Sequence, residues 1–267
     1  SVVVNSGGFV NVTAVGTITL PTTFTNNGTF RYSYQNQNVL GITYNDLWLE
    51  DIGTKSLLGN VIVNGTLLFA ESAIAELGNF NLTLGASATI SGASASNFVM
   101  TSGTGGLRKN FTANGSFTFP VGDTLLTSVR EYSPATLNLT SGTYSSAYAS
   151  VKLTNTKHSL NTSSTDYLKR YWTVSQSGIS GFTCNADFVY VDEDIVGTET
   201  NLTLGQYNGV QWNVVGTVNA GTNTLSATGL SSFSDFTGGE AAALPVQLAS
   251  FVGSYVGNSA KLEWQTI

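Results

Sequence analysis

The densest group of side chains that could do chemistry is the acidic run Asp192-Glu193-Asp194, which has Asp187 and Glu199 nearby in the sequence. Carboxylate oxygens from such loops are ligands that calcium prefers. The run therefore makes Asp192 and Asp194 candidate calcium ligands. The alternative is a solvated turn between two strands, since acidic runs are usually exposed. We favour the solvated turn and keep calcium as the one candidate cofactor.

Nucleophilic and acid–base chemistry has few candidates. The single histidine, His158, lies in a polar run and lacks the neighbours that a zinc site needs. A serine triad is disfavoured because no G-x-S-x-G motif is present. A glycosidase needs two carboxylates across a cleft, and no spacing demands this of Glu50-Asp51, Glu71 and Glu76. We therefore predict no catalytic residues and no enzymatic activity.

The composition narrows the remaining classes of partner and location. Only 10% of the 267 residues are charged, against roughly 25% in ordinary soluble domains, and the net charge is −6. No basic stripe could neutralise phosphates, which argues against nucleic acid as a partner. No apolar run approaches the roughly 18 residues of a membrane span. The one cysteine, Cys184, cannot form an intramolecular disulfide, and we interpret it as a small buried hydrophobe.

Short apolar alternations repeat through the first part of the chain. Val61-Ile62-Val63 and Leu82-Thr83-Leu84 are about 21 residues apart, roughly one coil of a parallel β-helix. Asn-Gly pairs at Asn27, Asn64 and Asn114 predict tight corners, because both residue types tolerate positive φ. We predict β-helix-like coils over residues 1–107, with stacked parallel coils over 42–107 and Val61, Val63, Leu82 and Leu84 pointing inward.

The segment Ala70–Leu77 has two interpretations. Its apolar residues have the i, i+3, i+4, i+7 spacing of a helix. The alternative is a turn followed by a short strand. We favour the strand, because Gly78-Asn79 cuts the segment short and both flanks are strand-like.

From Arg108 the strands become longer and more aromatic. Alternating runs such as Leu168–Val174, Ala186–Val191 and Gly209–Val215 predict an antiparallel β-sandwich over residues 108–240. The fold class is therefore all-β, with N-terminal parallel β-helix-like coils followed by an antiparallel β-sandwich.

Residues 241–267 are predicted to be a linker and the start of a further β module, or strands used in assembly. Two strand-like pieces joined by Gly257-Asn258 supply too little chain for a sandwich, and an isolated hairpin is marginal in water. Their apolar side chains need a surface to cover. The candidate assembly residues are Leu248, Phe251, Leu262 and Trp264.

Several stretches resemble secreted surface proteins of Bacteroidota. TYNDLWLEDIGTKSLLGNVIVNGTLLF resembles their coils; FTFPVGD, LKRYWTV and LSSFSDFTGGE resemble the sandwich that follows; and ALPVQLASFVGSYVGNSAKLEW resembles the segment that opens the next module. This resemblance implies cargo of the type IX secretion machinery and export to the cell surface or the extracellular space, and in those proteins such a segment lies ahead of a sorting domain. The resemblance implies no catalytic residues.

These observations lead to one expected function and two alternatives. The expected function is a non-enzymatic extracellular structural or adhesive surface protein, with self-association or surface glycans as partners. The first alternative is a carbohydrate-binding module of a secreted enzyme or adhesin. Its aromatic candidates for stacking on sugar rings are Tyr32, Tyr34, Tyr44 and Trp48, although aromatics in strands more often pack inside. The second alternative is a β-helix carbohydrate-active enzyme.

Overall fold

A computed structural model of the chain describes residues 2–13, 18–22, 24–124, 129–241, 248–256 and 259–266. The fold is all-β, with stacked parallel coils in the N-terminal part and antiparallel sheets in the C-terminal part, as the sequence predicts. The strands of the coils are β1 (Val2–Val4), β2 (Phe9–Val12), β3 (Phe24–Asn26), β4 (Thr29–Tyr32), β5 (Gln37–Val39), β6 (Thr43–Tyr44), β7 (Asp46–Leu49), β8 (Gly53–Leu57), β9 (Val61–Val63), β10 (Thr66–Phe69), β11 (Ala73–Glu76), β12 (Leu82–Leu84), β13 (Thr89–Ser91), β14 (Phe98–Met100) and β15 (Leu107–Phe111).

Each complete coil contributes one strand to each of three sheets. Sheet 1 has the order β13-β10-β7-β4-β2, and β1 pairs with β3 outside it. Sheet 2 begins with β5, β8, β11 and β14, and sheet 3 begins with β6, β9, β12 and β15. The register places Val61 beside Leu82 and Val63 beside Leu84, so the repeat read from the sequence is the coil repeat. All four side chains are fully buried, as predicted.

The coil corners bring the chain close to its neighbours. Asn64-Gly65 forms the corner between β9 and β10, as its sequence predicts, although neither residue has the positive φ on which that prediction rests. A Cβ at position 65 would lie 2.3 Å from Asp46 Oδ1 and 2.9 Å from the carbonyl oxygen of Asn45, so a larger residue would require both groups to move. Asp46 Oδ1 also accepts the Thr66 N–H at 2.6 Å, which ties one coil to the next. Ala73–Glu76 is a strand after a turn, which confirms the strand interpretation of 70–77.

The C-terminal part continues two of the three sheets. Its strands are β16 (Gly115–Phe119), β17 (Val121–Asp123), β18 (Glu131–Tyr132), β19 (Ala135–Thr154), β20 (Tyr167–Val189), β21 (Ile195–Val196), β22 (Leu202–Tyr207), β23 (Trp212–Asn219), β24 (Thr224–Leu230) and β25 (Asp235–Glu240), with single-turn 3-10 helices at Asp192–Asp194 and Glu199–Asn201. In sheet 2, β17 pairs in parallel with β14, and β18 follows in antiparallel orientation.

Sheet 3 passes the predicted boundary at residue 107 without a break. β15 pairs in parallel with β12 on one side and antiparallel with β19 on the other. The sheet then runs β19-β20-β25-β22-β23-β24, and β24 also pairs with β20. One apolar core extends from Phe30 in the coils to Phe236 in the C-terminal part. The remaining strands, β26 (Leu248–Val256) and β27 (Ser259–Thr266), form a separate antiparallel pair.

Candidate functional site

The acidic run 192–194 is only partly the solvated turn that the sequence suggests. It forms a single 3-10 turn in which Asp192 and Glu193 are exposed. The third carboxylate, that of Asp194, is 2% exposed and pairs with the guanidinium of Arg170. The prediction of a solvated turn is therefore wrong for Asp194, because a buried cation lies beneath this end of the turn.

Arg170 is the centre of a buried ion cluster that the sequence analysis did not identify. Its Nη2 lies 2.7 Å from Glu131 Oε2 and 3.3 Å from Asp123 Oδ2, and its Nη1 donates to Ser133 Oγ. Three carboxylates thus surround one guanidinium. The four charged residues come from β17, β18, β20 and the 192–194 turn, so the cluster joins the last parallel strand to the antiparallel part.

The amide of Asn155 bridges two of these carboxylates. Its Nδ2 donates to Asp123 Oδ1 at 2.6 Å and to Glu131 Oε2 at 2.7 Å. Burial raises the pKa of Asp194 to about 6 against the pull of Arg170, and burial also raises the pKa of Asp123. The cause is desolvation, which penalises the charged carboxylate more than one shared cation compensates. We therefore expect the contribution of this cluster to stability to depend on pH.

A signal for this cluster was present in the sequence. Leu168, Arg170 and Trp172 alternate with the more exposed Lys169 and Tyr171, so a period of two places Arg170 on the apolar face. A buried arginine requires carboxylate partners. Which carboxylates supply them depends on strand pairings that are remote in sequence.

Calcium at Asp192 and Asp194 stays a prediction with little geometric support. Across the described ranges, no group of three or more His, Cys, Asp or Glu residues is arranged to hold a metal ion. Asp194 is engaged by Arg170, and Asp192 Oδ1 accepts a hydrogen bond from Asn223 Nδ2.

We expect chelation to leave the thermal stability unchanged. The melting temperature, measured by calorimetry with excess EDTA and again after adding calcium, should move by less than the error of the measurement, because Arg170 already compensates Asp194. A bound ion would stabilise the fold in proportion to its occupancy. A drop of many degrees with EDTA that calcium restores would therefore establish the site.

His158 is surrounded by aromatic rings, and both of its ring nitrogens form hydrogen bonds. Nδ1 accepts the Leu160 N–H at 3.2 Å, so Nε2 carries the proton and donates to Asp235 Oδ2, also at 3.2 Å. The rings of Tyr171 and Trp212 lie edge-on with centroids 4.7 and 4.9 Å away. Because both nitrogens form hydrogen bonds, this histidine holds a loop against β20 and β25. Neither nitrogen is free to act as the base that activates a nucleophile.

Two buried lysines hold coil corners. Lys109 Nζ donates to the carbonyl oxygens of Gly85, Ala86 and Ala88 at 2.7, 2.9 and 2.6 Å. Lys55 Nζ donates in the same way to the carbonyls of two residues in the 34–35 turn. Burial lowers the pKa of Lys109, and it lowers that of Lys55 to about 8. These ammonium groups satisfy corner carbonyls that would otherwise lack donors.

Two of the carboxylates considered for glycoside hydrolysis, those of Glu50 and Glu76, are held by neighbouring side chains. Glu50 pairs with Arg31. Glu76 accepts hydrogen bonds from Ser56 Oγ at 2.9 Å and Ser102 Oγ at 3.2 Å. Glu71 lies in the turn before β11, at φ 54°. These contacts give Glu50 and Glu76 structural roles in their coils, whereas Glu71 is exposed in its turn.

The aromatic side chains divide between the core and the outer face of sheet 1. Tyr32 and Tyr44 are fully buried with their hydroxyl groups 3.0 Å apart, so they pack inside rather than stack on sugars. Trp48 faces outward and meets the half-exposed Phe9 edge-on at 5.8 Å. The guanidinium of Arg31 lies 6.0 Å from the Phe9 ring. We call Phe9, Arg31 and Trp48 the Trp48 face.

The predicted assembly residues lie on the hairpin β26–β27. Phe251 is 60% exposed and Leu262 is 54% exposed, and residue 251 pairs with residue 264 across the hairpin. Leu248 and Trp264 belong to the same strands, and their side chains lie outside the described residues. The assembly role stays a prediction.

Comparisons with known proteins give no further identification. No protein-family model, no curated protein and no solved structure matches this chain. Among the described residues, no helix has both the length and the hydropathy needed to cross a membrane.

Proposed function

We propose that this chain is a non-enzymatic extracellular protein that serves as a rigid adhesive element at the cell surface. The observation that carries the proposal is the continuous sheet 3, in which β15 is hydrogen-bonded to a parallel coil strand and to the antiparallel β19. A shared sheet gives the two parts no hinge at this junction. Such a body is suited to holding binding surfaces at a fixed distance and orientation.

The proposed extracellular location is supported by features of the sequence. The resemblance of FTFPVGD, LKRYWTV and ALPVQLASF to Bacteroidota surface proteins supports export through the type IX secretion machinery. A surface made polar by Ser, Thr, Asn and Gly, with few charges, agrees with that destination. The exposed Phe251 and Leu262 support self-association through the hairpin as part of the proposal.

The second candidate is a carbohydrate-binding module, favoured by the Trp48 face. An outward indole beside Phe9 offers an apolar surface for a sugar ring. Arg31, whose charge is compensated by Glu50, would contribute hydrogen bonds without attracting anions. In this candidate, Trp48→Ala should abolish glycan retention, and Tyr167→Ala, a half-buried tyrosine on β20, should not.

An adhesion assay with product analysis tests the proposal. Beads coated with the protein are placed on insoluble polysaccharides and on bacterial envelopes, and retention under flow and new reducing ends are measured together. We expect retention with no new reducing ends. Retention equal to that of albumin-coated beads would refute the adhesive role, and new reducing ends would establish an enzyme. Light scattering of the same protein tests the self-association.

A further inference from the structure

An open cleft lies where a coil corner meets the junction of β15 with β19. One part of it, of about 340 Å³, is lined by Asn110, Thr112, Tyr144 and Ser146 over a floor that includes Phe111. A second part, of about 210 Å³, shares Asn110, Phe111 and Thr112 and extends along the 113–116 turn. The larger part falls at the low end of the roughly 300–1,000 Å³ of small-molecule sites.

An irregularity in β19 forms one wall of this cleft. Tyr144 pairs with Ile179 and Tyr148 pairs with Ser177, so Ser145, Ser146 and Ala147 stand opposite the single residue Gly178. Such bulges turn side chains out of the regular alternation and are frequent beside binding sites.

The bulge holds Ser146 in an unfavourable backbone conformation. Its φ of 46° lies in the left-handed region that residues other than glycine seldom adopt. Gly178 makes the bulge possible, because a Cβ there would lie 2.1 Å from Ser145 O. Strain of this kind persists where the surrounding structure imposes it, often at ligand sites.

The polar groups of the cleft are available to a ligand. Among the described hydrogen bonds, none uses the side chain of Asn110, Thr112 or Ser146. The Tyr144 ring is fixed in place, because its hydroxyl donates to Asn114 Oδ1 at 2.9 Å while Asn114 Nδ2 donates to Thr140 O. An amide and two hydroxyls can each donate and accept, as sugar hydroxyls do.

The charges around the cleft favour a neutral ligand. None of its lining residues is a carboxylate, and the one cation among them, Lys109, donates three hydrogen bonds from its Nζ to carbonyl oxygens. A carboxylate on the ligand would therefore lose its hydration without gaining an ion pair.

We propose that this cleft binds one or two rings of a neutral saccharide, with the Tyr144 ring against the C–H face of a sugar and Asn110, Thr112 and Ser146 bonded to its hydroxyls. This inference deepens the proposed adhesive function by naming the site and the class of ligand. The Trp48 face lies on a different sheet and is not part of it.

Isothermal titration of the full chain with neutral mono- and disaccharides and with the matching uronic acids tests the inference. We expect binding of at least one neutral sugar at millimolar or lower concentration. Asn110→Ala should weaken it about fivefold, the effect of one lost hydrogen bond of about 1 kcal/mol. The matched control is Asn38→Ala, an exposed strand asparagine in sheet 2, which should leave affinity unchanged.

Ser146→Gly separates binding from folding. Glycine relieves the positive φ, so the melting temperature should stay the same or rise, while loss of the hydroxyl should weaken sugar binding several-fold. A variant that merely disturbed the fold would lower both quantities.

Three results would overturn the site: no neutral sugar binds, uronic acids bind better than their neutral counterparts, or Asn110→Ala binds as the wild type does. The adhesion assay distinguishes failure of the cleft from failure of the adhesive function. If beads coated with the Asn110→Ala variant are retained as well as wild-type beads, the cleft is refuted and the adhesive function stands. If sugar binds in solution but the beads are not retained, the adhesive function is refuted and the cleft stands.

Discussion

Replacing Arg170 with methionine should lower the free energy of unfolding by about 3–5 kcal/mol, the usual result of removing one partner from a buried ion cluster. The guanidinium lies within 3.3 Å of carboxylate oxygens of both Asp123 and Glu131, and it also contacts Asp194. Methionine retains much of the apolar stem but leaves three carboxylates without their cation. The change should appear in urea unfolding as a lower midpoint with the same slope.

Lys169→Met is the matched control. Lys169 is the preceding residue of the same strand, with its side chain exposed on the opposite face. The same loss of charge there should change stability by no more than about 0.5 kcal/mol. If both variants lose the same free energy of unfolding, the effect comes from the change in net charge and the cluster contributes little.

The cost of Arg170→Met should depend on pH. Burial raises the folded-state pKa of Asp194 from 3.8 to about 6. A carboxyl with a raised folded-state pKa contributes stability that is complete below the unfolded value, near 4, and is lost as the pH rises through 6. Without Arg170 these carboxyls should bind protons still more tightly. The difference in unfolding free energy between variant and wild type should therefore be smaller at pH 4.5 than at pH 7.5, and a constant difference would contradict the assignment.

Local patterns predicted the coils well, because a strand pattern has a period of two and a coil repeats within a short stretch. Val61 and Val63 alternate with Ile62, and Leu82 and Leu84 repeat them one coil later. Those positions alone specify which side chains face inward.

The Arg170 cluster could not be predicted in the same way. The alternation of β20 places Arg170 on the buried face, but its partners lie on β17, on β18 and after β20. Their meeting depends on sheet pairings over long sequence separations. Alternation also gives no warning of the β19 bulge, since Ser146 has a residue type that is common in any turn or strand of this chain.

Replacing Val63 with aspartate should lower the free energy of unfolding by at least about 3 kcal/mol, since a buried carboxylate without a partner must either stay charged or take up a proton. Val63 is 0% exposed and lies in the inward column between Tyr44 and Leu84. None of these neighbours offers a cation. A lower melting temperature, or a loss of soluble protein, should result.

Ile62→Asp tests whether the effect comes from the inward position or from the charge. Ile62 is the adjacent residue of the same strand, it is 39% exposed, and it lies beside Thr43 and Thr83 on the outer face. Aspartate there stays hydrated, so the melting temperature should fall by only a few degrees at most. Because a shift of one residue exchanges the two faces of a strand, the opposite result, with Val63→Asp tolerated and Ile62→Asp not, would mean that β9 pairs in the other register. Equal tolerance of both would mean that this coil is not packed as described.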